Sequence, residues 1–313
     1  MRYGPENPEA TYVPHDFEER LCDTGEAVLN YATAGSPSNP ALLLIPGQTE
    51  SWWGYEKAMP LLAEHFHVFA VDLRGQGRSS RTPGRYSWDN FGNDLVRFIQ
   101  LAVGRPAVVS GLSSGGVLSA WLSAYAMPGQ VRGAHYEDPP LFASETTPAF
   151  GHSIRQGIGL NFALMSKYLG DQWAVGDYAG MVAARATELP AHLAGRVRGN
   201  ESGAPPQNIK EYDPEWARAF WTGTVGVNCD HARMLTQVKC PVLYTHHFRK
   251  VSDDGWLIGA MSDLQAERAL ALLEATGQPI TYRSFPEMGH SMHGQDPDLF
   301  TRTLLEWSNG LPA

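Results

Sequence analysis

A serine within a Gly-x-Ser-x-Gly pattern gives this chain its strongest chemical signal. The pattern reads Gly111-Leu112-Ser113-Ser114-Gly115. An apolar, β-branched run at 106–110 precedes it, and apolar residues at helical spacing follow it over 116–125. Glycines at a strand-to-helix junction allow a sharp turn and close packing of the next element. We therefore predict a nucleophile elbow that holds Ser113 out over the edge of a sheet.

A serine hydroxyl becomes a useful nucleophile only when a base removes its proton. With a nucleophile elbow, that base is expected late in the chain, in a loop after the last strand. His290 lies there, and it is our candidate base. His293, three residues later, is the alternative, and His246 and His247 could line the pocket.

The base needs an acid that orients it, in the chain order serine, acid, histidine. Glu137 and Asp138 end the strand that follows the nucleophile helix. We choose Glu137 because it has the longer reach, whereas Asp138 precedes two prolines and suits a turn. Asp138 is the near alternative for the acid, and Asp253 and Asp254 are less favoured candidates.

An oxyanion hole for a serine nucleophile needs two backbone N–H donors. The residue after the nucleophile, Ser114, supplies one. The loop after the strand that ends at Pro46 should supply the other, and Gln48 is our choice. Gly47, in the same loop, is predicted to lie beside the substrate.

The elements that must position these groups alternate between short apolar runs and helical patterns. This alternation is typical of βαβ units and of a mostly parallel sheet flanked by helices. The predicted strands are 27–34, 41–46, 67–72, 106–110, 131–137, 240–245 and 280–285. The predicted helices are 53–65, 88–101, 116–125, 262–276 and 299–309.

The strand pattern is interrupted in the middle of the chain. From 141 to 238 helical segments rich in aromatic residues replace the strand-like runs. We predict a core α/β domain made of residues 1–140 and 239–313, with residues 141–238 inserted as a helical cap or lid.

Composition excludes several classes of partner. The formal net charge of −9, with no basic run, argues against nucleic acid and anionic membranes as partners. No secretory signal and no apolar stretch of membrane-spanning length is visible. Cys22, Cys229 and Cys240 lack the spacing of a metal site or a disulfide framework, so we expect free thiols in the cytoplasm. A homodimer is an option, since symmetric dimers are the commonest oligomers.

Together these residues resemble the α/β-hydrolase superfamily over nearly the whole chain. The marks are Leu44-Ile45-Pro46-Gly47, Asp72-Leu73-Arg74-Gly75-Gln76-Gly77-Arg78-Ser79, the Gly111–Gly115 pattern, and Gly289-His290 followed by Asp296-Pro297. The resemblance implies the α/β-hydrolase fold, with a mostly parallel central sheet, flanking helices and an inserted cap.

Within that superfamily the chain resembles the zearalenone lactone hydrolases, which open a resorcylic macrolactone. The resemblance rests on Ser113-Ser114-Gly115, on Glu137-Asp138-Pro139 and on the segment from Tyr212 to Phe220. In this family the acid-bearing turn has a Glu, one residue and then Pro, which implies Glu137 as the acid. The cap segment implies that Trp216 touches the substrate.

The resemblance also implies a mechanism without a cofactor. Ser113 attacks the lactone carbonyl, His290 serves as base and then as acid, and water releases the acyl group. The opened resorcylic acid then loses carbon dioxide. Besides Trp216, the cap aromatics Trp173, Phe220 and Trp221 would hold the resorcylic ring.

Three functions therefore compete. The first is a serine hydrolase of a bulky, hydrophobic lactone or ester. The second is a carboxylesterase or carbon–carbon bond hydrolase with the same triad. The third is a receptor of the same fold that binds a ligand and turns it over slowly. Dehalogenase and epoxide hydrolase functions are disfavoured, because they need a carboxylate where Ser113 stands.

Overall fold

The fold is built on an eight-stranded sheet. The computed structural model describes residues 13–145, 147–148, 151–170, 176–190, 193, 205–253 and 255–312. The sheet strands are β1 (Glu19–Asp23), β2 (Val28–Ala34), β3 (Ala41–Ile45), β4 (His67–Val71), β5 (Ala107–Leu112), β6 (Val131–Glu137), β7 (Val242–His246) and β10 (Ile280–Ser284). A separate two-stranded hairpin consists of β8 (Lys250–Val251) and β9 (Leu257–Ile258).

The order of the strands is β1-β2-β4-β3-β5-β6-β7-β10. β2 is antiparallel to both of its neighbours, β1 and β4. The other neighbouring pairs of this sheet, which join β4, β3, β5, β6, β7 and β10 in that order, are parallel. β3 and β5, in the middle, are buried along their whole length, as expected for strands covered by helices on both faces. The predicted mostly parallel sheet is confirmed.

The helices flank the sheet and fill the insertion between β6 and β7. They are α1 (Met59–Ala63), α2 (Trp88–Phe98), α3 (Ser114–Tyr125), α4 (Gly159–Tyr168), α5 (Tyr178–Glu188), α6 (Gln207–Lys210), α7 (Pro214–Thr222), α8 (His231–Leu235), α9 (Asp263–Glu274), α10 (Met292–Gln295) and α11 (Pro297–Ser308). Within the described part of the insertion, the regular elements are helical.

One local expectation was wrong, and three short strands were not predicted. The helix expected over 53–65 is a 3₁₀ turn at Trp52–Tyr55 followed by the short α1, which has proline near its start. Pro60 lacks the N–H that a continuous helix would need there. The edge strand β1 and the hairpin strands β8 and β9 were not predicted, because short, largely exposed strands carry little apolar periodicity.

Two apolar clusters cover the two faces of the sheet. One contains α2, α3 and the aromatic residues of the insertion, and the other contains Trp52, Tyr55 and α11. In the described residues, no helix is long and apolar enough to cross a membrane. The three cysteines are buried and free.

Candidate active site

The turn between β5 and α3 has the geometry of a nucleophile elbow. Ser113 has φ 56° and ψ −117°, a strained conformation outside the ordinary regions for a side-chain-bearing residue. Its own N–H donates to the Glu137 carbonyl at 2.8 Å, and its carbonyl accepts from Val117 at 3.0 Å. The strained residue is therefore held from both sides and projects at the start of α3.

The flanking glycines are explained by close packing. A Cβ on Gly111 would lie 2.1 Å from the Gly115 carbonyl oxygen, and a Cβ on Gly115 would lie 2.2 Å from the Ile45 carbonyl oxygen. These distances are far below van der Waals contact, so no side chain fits at either position. The packing brings the N-terminus of α3 against the end of β3.

His290 meets Asp138. Its Nδ1 donates to Asp138 Oδ2 at 2.6 Å, and Asp138 Oδ1 accepts from the His247 backbone N–H at 3.0 Å. The Asp138 side chain is 1% exposed, whereas that of His290 is 45% exposed. Both residues line the same cavity as Ser113. The sequence-predicted serine and histidine therefore line one cavity, and Asp138 is the carboxylate that contacts His290 there.

The expected pairing of His290 with Glu137 is corrected. Glu137 is buried and binds His293 Nδ1 through Oε2 at 2.9 Å. Successive residues at a strand end face opposite ways, and Asp138 has φ 43°, which turns its carboxylate toward the cavity. Asp tolerates this left-handed conformation better than most residues. The shorter carboxylate therefore reaches His290, and the longer one lies behind it.

The electrostatics of this pair follow from burial and charge. Burial acts to raise the pKa of Asp138, but the hydrogen bond and charge of His290 outweigh it and lower that pKa. Partial desolvation acts to lower the pKa of His290, but the hydrogen bond and charge of Asp138 outweigh it and raise that pKa above its ordinary value. Asp138 is therefore ionised, and it stabilises the protonated form of His290.

The loop after β3 lies opposite Ser113. A Cβ on Gly47 would be 3.4 Å from Ser113 Cβ, so the loop passes close to the nucleophile. The Gly47 N–H donates to Glu50 Oε2 at 3.2 Å, and its carbonyl accepts from Gln76 Nε2 at 3.0 Å. The side chain of Gln48 donates to the Tyr212 hydroxyl at 2.5 Å and is thereby turned toward the cap.

Two backbone N–H groups remain suited to an oxyanion hole. Gln48 and Ser114 both line the cavity. Ser114 is the first residue of α3, where a backbone N–H has no partner within the helix. The positive end of the helix dipole adds to the field at this point. The arrangement can stabilise an oxyanion next to Ser113.

A cavity of about 370 Å³ opens from these groups into the cap. Its walls are mainly apolar and come from α4, α7 and the β8–β9 hairpin. They include Ile158, Phe162, Met165, Phe220, Phe248, Trp256 and Ile258. Cavities of about 300–1,000 Å³ with mostly apolar walls are typical of small-molecule sites.

Only some of the residues predicted to contact the substrate line the cavity. Phe220 lines the cavity, but Gly47, Trp216 and Trp221 do not. Trp216 is fully buried, and its ring lies 4.5 Å from that of Phe91. The expectation that Trp216 touches the substrate is thus corrected for this cavity, because Trp216 packs the cap onto the core. The Arg155 guanidinium lies over the Trp221 ring, 5.6 Å from its centroid, in a cation–π contact. Trp173 lies outside the described residues.

The other titratable alternatives lie elsewhere. Asp253 is exposed on the β8–β9 hairpin, and Asp254 lies outside the described residues. His246 and His247 are buried and do not line the cavity. His247 Nδ1 donates to the His290 carbonyl at 3.2 Å, so it supports the loop of the candidate base.

Sequence reasoning missed most of the cavity wall. Phe162, Met165 and Trp256 belong to separate elements, and nothing in their spacing marks them as neighbours. Trp256 lies on the unpredicted hairpin, as a 39% exposed aromatic residue at the cavity mouth. Among the described residues, no cluster of three or more histidine, cysteine or acidic side chains could hold a metal ion.

Comparison with known proteins finds similarity to α/β hydrolases over part of the sequence and to their fold over nearly all of it. The family described as alpha/beta hydrolase fold matches residues 40–172. Two solved structures share the fold. A hydrolase from Pseudomonas aeruginosa aligns with a TM-score of 0.65 and 19% identity, and the alignment covers 94% of this chain and 99% of that one. An enol-lactonase from Burkholderia xenovorans aligns with a TM-score of 0.65 and 15% identity, and the alignment covers 93% of this chain and 100% of that one.

Three curated relatives match shorter stretches. A fluoroacetate dehalogenase of Burkholderia is 39% identical over 75 residues, which is 24% of either chain. Bifunctional epoxide hydrolase 2 of Sus scrofa is 36% identical over 110 residues, 34% of this chain and 20% of that one. 3-Oxoadipate enol-lactonase 2 of Acinetobacter baylyi is 31% identical over 100 residues, which is 31% of this chain and 37% of that one. The matches thus span between 20% and 37% of these relatives' length.

Proposed function

Starting from the α/β-hydrolase fold of this chain, we propose that the protein is a serine hydrolase that cleaves the ester bond of a bulky, hydrophobic lactone or ester. The observation that carries the proposal is the meeting of Ser113, His290 and Asp138 on one cavity, with His290 and Asp138 joined at 2.6 Å. A zearalenone-type macrolactone is the substrate that we would test first.

The proposed reaction needs only groups of this chain and water. His290 removes the Ser113 proton while Oγ attacks the ester carbonyl, and the N–H groups of Gln48 and Ser114 stabilise the resulting oxyanion. His290 then protonates the leaving alkoxide. A water molecule, deprotonated by His290, attacks the acyl-enzyme, and His290 passes that proton to Ser113 Oγ as the acid is released. Asp138 keeps the His290 Nδ1 proton in place throughout.

The similarity to a dehalogenase and an epoxide hydrolase does not change the reaction that we propose. Their chemistries need a carboxylate at the nucleophile position, and this chain has Ser113 there. The enol-lactonase relatives favour ester cleavage as the reaction class. The apolar cavity of about 370 Å³ favours a bulky acyl or alcohol group.

Further proposals concern organisation and location. We propose residues 141–238 as a cap domain on a core made of 1–140 and 239–313. Three buried free thiols support a reducing, cytoplasmic environment. A homodimer, and the absence of nucleic acid and membrane partners, stay predictions from the sequence.

The first experiment incubates the purified protein with zearalenone and, separately, with a p-nitrophenyl ester. We expect multiple turnovers of both, lost in the Ser113→Ala variant. Turnover of the p-nitrophenyl ester alone would discard the macrolactone and keep the serine hydrolase. No turnover of either, with tight ligand binding, would favour the receptor function.

A matched pair of neighbours tests the cavity as the substrate site. Phe220 lines it and Trp221 does not. Phe220→Leu should raise KM for a bulky aryl ester about fivefold, since about 1 kcal/mol of apolar contact is lost. Trp221→Leu should leave that KM within about twofold. Equal effects of the two substitutions would place the substrate elsewhere.

A further inference from the structure

A second buried carboxylate–imidazole pair lies directly behind the candidate triad. Glu137 and His293 are both fully buried, and His293 Nδ1 lies 2.9 Å from Glu137 Oε2. Glu137 Oε1 also accepts from the backbone N–H groups of Met292 at 2.7 Å and His293 at 3.2 Å. One carboxylate therefore holds both the ring and the backbone of the segment that follows His290.

The surroundings favour the ionised form of this pair. Burial acts to raise the pKa of Glu137, but His293 outweighs it and lowers that pKa to about 2. Burial acts to lower the pKa of His293, but Glu137 outweighs it and raises that pKa. Since an isolated buried carboxylate is strongly disfavoured, the imidazolium is the form that compensates its charge. Both ring nitrogens of His293 then carry protons.

The second nitrogen of His293 faces the loop that we assign to the oxyanion hole. His293 Nε2 lies 3.2 Å from Ser291 Oγ and 4.0 Å from Glu50 Oε2. The same Glu50 oxygen accepts from the Gly47 N–H at 3.2 Å. Gly47 directly precedes Gln48, whose N–H is the proposed oxyanion donor. The charge of His293 thus acts on this loop through Glu50.

Besides the two glutamates, the titratable groups that act electrostatically on this ring are His290 and the buried His135, and aromatic rings pack against it. The Tyr55 ring stacks on it at 3.8 Å, and the Phe300 ring lies 5.6 Å away edge-on. His290 opposes the protonation of His293 when it is itself charged. His293 does not line the cavity, so it has no route to substrate.

We propose that His293, held between Glu137 and Glu50, is a positioning residue that ties together the three loops carrying Asp138, His290 and Gln48. This inference rests on the proposed serine hydrolase function. His293 does no chemistry on the substrate. It sets the distance between the base and the oxyanion hole, on which the rate of acyl transfer depends.

The test compares kinetics of His293→Asn with the wild type on a p-nitrophenyl ester. Asn keeps an N–H near the position of Nδ1 but removes the positive charge and the contact toward Glu50. We expect kcat to fall about 10- to 100-fold, with KM within about twofold. His65→Asn, at an exposed histidine after α1, is the control and should leave both constants unchanged.

A double-mutant cycle with Glu50→Gln separates positioning from general loss of structure. Gln keeps an acceptor for the Gly47 N–H but removes the charge that faces His293. Alone it should lower kcat several-fold, and adding it to His293→Asn should lower kcat little further. Fully additive losses would overturn the proposal. If His293→Asn does not fold, an unchanged kcat in Glu50→Gln would overturn it equally.

The pH profile supplies a readout that a purely structural role would not affect. The His293 charge is present below its raised pKa and is lost as the pH rises through that pKa. The wild-type kcat should therefore decline at alkaline pH, and His293→Asn should lack that decline. An identical alkaline decline in both proteins would overturn the proposal.

Failure of the proposed function gives a different result. If Ser113→Ala keeps turnover, or if the wild type neither hydrolyses the ester nor reacts with a serine-directed fluorophosphonate, both proposals are overturned. If Ser113→Ala is inactive but His293→Asn is fully active, only the positioning role is overturned.

Discussion

At the scale of single residues, adjacent carboxylates have taken different partners. Asp138 faces the cavity and binds His290, whereas Glu137 faces inward and binds His293. Each buried negative charge has its own histidine, which avoids two carboxylates competing for one proton. The arrangement favours the shorter side chain for the orienting role in the proposed reaction.

This assignment predicts a ranking of two isosteric substitutions. Asp138→Asn should lower kcat about 10,000-fold, because it favours the wrong tautomer of His290. Glu137→Gln should lower kcat about 10- to 100-fold, since it disturbs only the position of the loop. Steady-state kinetics on a p-nitrophenyl ester would measure both. A larger loss in Glu137→Gln would return the acid role to Glu137.

The pH dependence at acid pH follows from the raised pKa of His290. The base must be neutral to accept the serine proton, so kcat/KM should fall as the pH drops through a pKa above the ordinary histidine value of about 6.5. Asp138 is the group that raises this pKa, so the NMR titration of His290 in Asp138→Asn should move to lower pH. An unmoved titration would contradict the contact.

At the scale of elements, the close approach of α3 to β3 decides the shape of the elbow. The periodicity of 106–125 predicted this strand–turn–helix unit, and the structure confirms its elements at β5 and α3. The cap was predicted only as a helical region. Its helices α4 and α7 contribute cavity walls because they pack on each other, a contact that no local pattern encodes.

A glycine substitution tests the close approach. Gly115→Ala should lower the free energy of unfolding by about 3 kcal/mol, because its Cβ would lie 2.2 Å from a backbone oxygen of β3. Gly226→Ala is the matched control: its Cβ would meet Trp88 at an ordinary 3.6 Å. Urea unfolding would measure both, and equal effects would contradict the packing argument.

At the scale of the whole molecule, buried polar contacts join α7, in the helical insertion, to the loop between β4 and α2. Asp213, at the start of α7, accepts from the Tyr86 hydroxyl at 2.5 Å and from Arg81 Nε at 3.0 Å. Its backbone N–H donates to the Gly75 carbonyl at 2.8 Å. Since Gly75 and Tyr86 belong to the core, these bonds set how α7 presents Phe220 to the cavity.

Two helix-capping aspartates allow this junction to be tested. Asp213→Ala should lower the free energy of unfolding by about 3 kcal/mol, because it removes a buried carboxylate that accepts hydrogen bonds from both Tyr86 and Arg81. Asp177→Ala should cost about 1 kcal/mol, since Asp177 caps α5 at an exposed site. Urea unfolding with a fluorescence readout would distinguish them. Equal costs would limit Asp213 to helix capping.

The amino-acid sequence by itself determined the alternation of strands and helices, the elbow at Ser113 and the late histidine, because these depend on local spacing and backbone preference. The tertiary structure alone decided which carboxylate meets His290. Glu137 and Asp138 are neighbours, and their histidine partners lie 156 and 152 residues away. It also decided that Phe220 lines the cavity while Trp216 lies in the core, since only the docking of cap on core gives each face of α7 its neighbours.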